Sequence, residues 1–382
     1  MTIAPPTPDT SLSARQSLAH GPLSTALLHI ERALRGTGGW TEARRILAAT
    51  GPLVEGREAG LFLGAPAMAF ALHLAADGTD RYAGALHTLD QVVAAHTRPR
   101  LAAAHDRIDA GLRPTFAEYD LLRGLTGVGA LLLRRNPHGP ELRGILDYLV
   151  RLTEPLADRA GQPLPGWWVA HAPASDQNAT PGGHANAGLA HGIAGPLALL
   201  SLTMRAGVHT ERQEQAIRRI CRWLDQIRQN DAYGLRWPRW ISHRGASPAR
   251  PAAPSWCYGT PGLVRAQQLA AIVLEDNDRK RMAERALTYC LADTRRLDML
   301  ADRGLCHGVG GVLRTVQRVA ADADTPGEYA HRFEPLVRRY LLAAVPEEDG
   351  FLVGRAGAAL AHLDAEAATT PQGQWDICLL LT

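Results

Sequence analysis

GLCHGVGGVL, Gly304 to Leu313, sets Cys306 and His307 side by side and follows them with Gly308, Gly310, Gly311 and an apolar run. Adjacent Cys and His suit a metal ion, and glycines before an apolar run suit a tight turn into a closely packed helix. The stretch has six relatives. LAHGPLSTALL starts at Leu18, GLFLGAPAMAFAL at Gly60, YDLLRGLTGVGALLL at Tyr119, GLAHGIAGPLALL at Gly188, SWCYGTPGLV at Ser255 and FLVGRAGAALAHL at Phe351. Each carries a glycine, two further residues and a small residue, then an apolar helical run. The first glycines are Gly21, Gly64, Gly124, Gly192, Gly259, Gly308 and Gly354, spaced by 43, 60, 68, 67, 49 and 46 residues. Self-similarity at such a period marks a repeat architecture, and the shortest of these units is sized for two helices and two turns.

Amphipathic helices fill the intervals. ERQEQAIRRICRWLDQI puts Ala216, Ile217, Ile220, Leu224 and Ile227 on one face, and DRKRMAERALTYCLADTRRL does the same with Met282, Ala286, Leu287 and Cys290. The runs after the glycines are apolar nearly all round, which marks helices buried on every side. Each unit therefore supplies one outer and one inner helix. An open solenoid would expose such inner helices, so the chain is expected to close into an all-α (α/α)7 toroid spanning residues 1–382 as one domain. The N-terminal ends of the inner helices, with their positive dipole ends, then share one mouth. Two longer intervals mark inserts, at about 154–186 and 228–255. They are rich in Pro, Gly and Trp and read as loops, with YGLRWPRWI forming a short hairpin over the mouth.

Composition excludes several classes. Basic residues exceed acidic ones by three, 41 against 38, and no Lys/Arg stripe interleaved with aromatics appears, so nucleic acid is not an expected partner. No run of 18 apolar residues exists to span a membrane. The N-terminus lacks the pattern of a secretory signal, and five cysteines in a chain of this length do not make a disulfide framework, so the cytoplasm is the expected location. Asn178-Ala179-Thr180 is then a chance glycosylation match.

The repeat singles out the units that carry chemistry. Just before their first glycines the seven units place His20, Leu63, Arg123, His191, Tyr258, His307 and Val353, and one position earlier stand Cys257 and Cys306. Two adjacent units thus aim Cys257, Cys306 and His307 at one mouth. Two thiolates and an imidazole are a soft set suited to Zn2+, and three protein ligands with an open position make the catalytic pattern rather than the closed structural one. Cys221, Cys290 and Cys378 are small buried hydrophobes. His191 stands at the equivalent position without a cysteine and is expected to transfer protons. Asp120, four residues before Gly124, either orients a neighbour or caps its helix. His20 is read as structural.

WCYG with CHG, together with GLAHGIAG and the terminal WDICLLL from Trp375, resembles the lanthionine synthetase C family, zinc-dependent cyclases of lanthipeptide biosynthesis. The resemblance spans essentially the whole chain. It implies the (α/α)7 toroid, zinc on Cys257, Cys306 and His307, catalytic roles for His191 and Asp120, and Tyr258 lining the site. Family members also carry an arginine shortly before the WCYG cysteine. Here Ala252, Ala253 and Pro254 stand there, and Arg250 lies seven residues upstream of Cys257.

The implied reaction adds a peptide Cys thiolate to the β-carbon of a dehydroalanine or dehydrobutyrine in the same peptide, giving a thioether ring. The implied partners are a dehydrated precursor peptide, a dehydratase and an export transporter, with the enzyme in the cytoplasm beside a membrane-bound complex. A glycosidase would need paired carboxylates at the mouth, where only Asp120 is placed. A zinc hydrolase is disfavoured because HExxH is absent and a doubly thiolate site makes a less acidic water. A zinc-containing peptide-binding scaffold without catalysis would use the same mouth and is the alternative reading.

Overall fold

The computed structural model describes residues 12–54, 59–157, 161–172, 180–232, 234–247, 253–365 and 373–382. The chain runs as paired helices. A short α1 (Leu12–Arg15) leads into inner α2 (Pro22–Leu34) and outer α3 (Thr41–Ala48). Inner α4 (Ala65–Ala76) is followed by α5 (Ala83–Asp109) and a single turn, α6 (Phe116–Tyr119). Inner α7 (Leu125–Arg135) pairs with α8 (Pro140–Leu152), α9 (Ala194–Arg205) with α10 (Gln213–Ile227), and α11 (Thr260–Val273) with α12 (Asn277–Ala292). After the turn α13 (Thr294–Leu297) come α14 (Val309–Asp322), α15 (Gly327–Leu342) and the last inner helix, α16 (Arg355–Leu363). Among the described residues no helix is long and apolar enough to cross a membrane.

Each inner helix packs on the next, and α16 packs on α2, which closes the seven into a toroid. Backbone bonds stitch the glycine motifs together around the mouth. Leu18 N donates to Phe62 O (2.9 Å), Leu121 N to Ala190 O (3.1 Å), Leu189 N to Cys257 O (2.8 Å) and Leu305 N to Leu352 O (2.9 Å). Phe351 N to Ala19 O (3.0 Å) joins the last motif to the first. The opening stretch shows why these positions are small. A Cβ on Gly308 would lie 2.3 Å from Asp302 Oδ1, and one on Gly311 would lie 1.8 Å from Leu305 O, so any side chain would push the motif off its own helix. The motif is a loop folded tightly under a helix start.

The outer helices bury one stripe, as α10 does with Ala216, Ile217, Ile220 and Leu224. The inner helices depart from the all-apolar expectation. In α4 every residue but His73 is buried, yet α11 and α14 bury Arg265, Gln267, Gln268, Arg314 and Gln317 as well. Those charges are paired: Arg314 Nε lies 2.7 Å from Asp376 and its Nη1 2.7 Å from Asp364, all fully buried. Asp376 belongs to the C-terminal 3-10 turn Trp375–Leu379, whose residues are all buried. Leu379 O accepts from Trp256 Nε1 and Leu381 O from Arg265 Nε, so the WDICLLL tail is bonded into the inner ring.

The inserts carry strands as well as loops, a correction to the sequence reading. β1 (Leu156–Ala157) pairs with β2 (Pro163–Leu164), and β4 (Gln229–Asp231) forms a hairpin with β5 (Gly234–Arg236), earlier in the chain than the hairpin expected within YGLRWPRWI. More consequential is a sheet shared between the inserts. β3 (His184–Asn186) of the first pairs antiparallel with β6 (Trp240–Ser242) of the second, which pairs in turn with β7 (Gly245–Ser247). This sheet sits directly before the α9 motif.

Candidate active site

Cys257 and Cys306 come from the turns that enter α11 and α14, which are neighbours in the ring. Their sulfurs and a ring nitrogen of His307 all lie within 4.8 Å of one another, the one group of three or more such donors among the described residues. Cys306 Sγ is 3.7 Å from His307 Nε2. Zinc–sulfur and zinc–nitrogen bonds of about 2.3 and 2.0 Å put tetrahedral donors roughly 3.5–3.8 Å apart, so the trio fits a zinc ion. Both cysteines are buried and His307 is exposed.

Electrostatics favour a cation among these donors. Burial opposes charge on Cys257, but contacts from Cys306, His307 and Ser255 hold its thiol well below the usual cysteine range. The same contact with Cys257, aided by burial, pushes Cys306 well up. The Cys257 contact also raises His307. Two buried thiolates side by side repel unless a positive charge sits between them.

His191 stands across the mouth. Its Nδ1 is 2.7 Å from Asp120 Oδ2. Asp120 is only 1% exposed, and its other oxygen accepts from the backbone N–H of Arg123 and of Gly124, both at 2.8 Å. One oxygen of Asp120 thus braces the turn that leads into α7, and the other faces an imidazole. An ionised carboxylate only accepts, so His191 donates from Nδ1 and keeps Nε2 as its second functional nitrogen. Phe116 stacks on the His191 ring at 5.9 Å and Tyr258 lies tilted at 6.0 Å from it. Burial, then the nearby Cys257, pushes the Tyr258 phenol well up, opposed by the Asn186 side chain. Tyr258 thus stays a neutral, half-buried wall between the histidine and the thiols.

The remaining candidates fall elsewhere. Cys221, Cys290 and Cys378 are buried, and burial raises each thiol. His20 is half-buried, with burial lowering its basicity. Arg250, Ala252, Asn178 and Ala179 lie outside the described residues. Sequence comparison missed Asn186 and Arg239, which flank Tyr258 from the shared sheet: the Arg239 guanidinium carbon is 5.8 Å from the centre of the Tyr258 ring.

Residues 13–380 match the profile of the lanthionine synthetase C-like proteins. The chain belongs to this family. A solved structure described as nisin cyclase superposes with a TM-score of 0.78, covering 96% of this chain and 92% of that one at 21% sequence identity, a likeness of fold. No curated protein matches by sequence.

Proposed function

We propose that this lanthionine synthetase C-like chain is a zinc-dependent cyclase that joins a cysteine thiol of a dehydrated peptide to dehydroalanine or dehydrobutyrine in the same peptide. One observation carries the reading: two buried sulfurs and an imidazole within 4.8 Å of one another share the ring mouth with a His–Asp pair. In the reaction the S–H proton leaves, an S–C bond forms at the β-carbon, and the alkene electrons move toward the α-carbon, which then takes a proton. No atoms are gained or lost overall.

Cys257, Cys306 and His307 would hold the zinc. When bound, zinc supplies thiolate character at neutral pH, because a coordinating thiol is deprotonated. His191 handles the protons. With Nδ1 fixed on Asp120, its Nε2 is free to accept a proton and later return one to the α-carbon. Asp120, buried and with both oxygens engaged, orients the ring rather than exchanging protons itself. The Phe116 and Tyr258 rings both lie against the imidazole. The substrate alkene must come from dehydration of serine or threonine, so a dehydratase acts first.

The test is a thiol count. A dehydrated, Cys-containing peptide is incubated with the zinc-loaded protein and then alkylated. Cyclisation leaves peptide mass unchanged and removes the alkylatable thiol; a binding scaffold leaves that thiol reactive. His191→Ala should keep its zinc and slow ring formation by roughly 10²–10⁴-fold. Loss of metal on that substitution would contradict the role given to His191.

A further inference from the structure

The sheet shared by the inserts brings two unsatisfied donors to the mouth. Asn186 ends β3 and is fully buried. Its Oδ1 accepts from Gly188 N at 2.8 Å, and its backbone O accepts from Ile193 N at 3.0 Å, which ties it to the start of α9. Its Nδ2 is buried and completes no hydrogen bond among the described residues, although the side chain lies close enough to the Tyr258 phenol to favour its ionised form. Arg239 stands one residue before β6, and its Nε is likewise buried without a partner. The pairing of Asn186 with Trp240 sets the two residues beside each other, and Arg239 O accepts from Ala187 N at 2.9 Å. Both lie next to Tyr258, the residue after the Cys257 ligand.

A buried donor left unmade costs roughly 1–3 kcal/mol, and two such donors locked together by backbone bonds amount to a preformed acceptor site. The proposed reaction creates an acceptor of the right kind. When sulfur adds to the β-carbon, the alkene electrons pass through the α-carbon onto the acyl oxygen of the dehydro residue, which becomes an enolate oxygen. The Cys–Cys–His trio and the His191–Asp120 pair offer this oxygen no neutral or cationic donor beyond the proton that His191 must deliver to carbon. We propose that Asn186 Nδ2 and Arg239 Nε together receive the acyl oxygen of the dehydroamino-acid residue and hold its charge while the S–C bond forms. Transfer of the proton that His191 took from the thiol to the α-carbon then neutralises the enolate and leaves the imidazole neutral again, and the two donors keep their hydrogens throughout. This inference rests on the proposed cyclase reading. It assigns the site a substrate preference: an α,β-unsaturated acyl group presented to two donors, rather than any cysteine peptide.

The test uses the full zinc-loaded protein, with the thiol count as the rate assay. Arg239→Met and Asn186→Asp (which keeps Oδ1 for Gly188 N and loses the donor) should each lower kcat by about a hundredfold, with KM and zinc content within twofold of the parent. Binding of a peptide carrying alanine in place of the dehydro residue should stay unchanged, since the acyl oxygen of that peptide never gains charge. If Arg239→Met proves unstable, Arg239→Lys decides: it keeps the charge but lacks Nε, and should still lose at least tenfold. An inactive parent protein overturns the cyclase reading. An active parent whose variants turn over within twofold of it overturns the donor pair alone.

Discussion

At the far end of the ring Arg314 bonds Asp376 and Asp364, Arg318 reaches Asp376 at 2.7 Å, and Trp375 Nε1 donates to Asp364 at 3.1 Å, all within the C-terminal tail and the inner helices. At the mouth, Asn186 Nδ2 and Arg239 Nε have no partner among the described residues, and two buried sulfurs stand within 4.8 Å of each other and of an imidazole. The two ends use similar polar groups in opposite conditions. Saturated groups at the far end specify how the tail seats in the ring. Unsaturated groups at the mouth are held by backbone in a state that something else must complete, which is how a protein stores the capacity to bind and react.

Breaking the saturated end should damage stability and spare the mouth. Arg314→Met leaves two buried carboxylates short of a counter-charge, and a loss of about 3–5 kcal/mol is expected, read as a clear fall in Tm. Zinc content per folded chain should not change. A matching loss of zinc would mean that the ends are coupled and the contrast false.

A smaller effect lies beside the mouth. His184 is fully buried between Phe116, His171 and Trp240, with neither ring nitrogen paired among the described residues. Burial, then the charge of His171, lowers its pKa to about 4. Its folded value lies below the ordinary 6.5, so the fold favours the neutral ring. That contribution is complete above pH 6.5 and disappears as the pH falls toward 4, amounting to on the order of 1–3 kcal/mol. Replacing His184 with Phe should flatten the stability profile across that window. An unchanged slope would show that the insert sheet does not depend on a neutral His184.

The ring was legible because its causes are local. Seven glycine motifs recur where a helix start lies too close to its own preceding turn for a Cβ, and the apolar runs after them have nowhere to go but inward. Cys257, Cys306 and His307 stood out for the same reason, since they differ from their siblings at matched positions. The shared sheet was not legible. Its strands are three residues long, and β3 meets β6 across more than fifty residues, beyond any periodic signal. Asn186 and Arg239 lie outside the repeat, so comparing units could not find them. Nor could it foresee that Arg265 and Arg314, inside otherwise apolar helices, are neutralised by carboxylates from Asp322 and the chain's last turns. Asp120 fell between: its position was plain, but only the structure gives its two oxygens different tasks.

The most direct measurement is the metal's coordination in the purified protein, by zinc X-ray absorption with metal analysis, for the parent, Cys306→Ala and Cys378→Ala. The expected result is one zinc per chain with two sulfur donors and a histidine nitrogen, retained in Cys378→Ala and lost in Cys306→Ala. Zinc that survives in Cys306→Ala, or a parent spectrum with fewer than two sulfurs, would contradict the account.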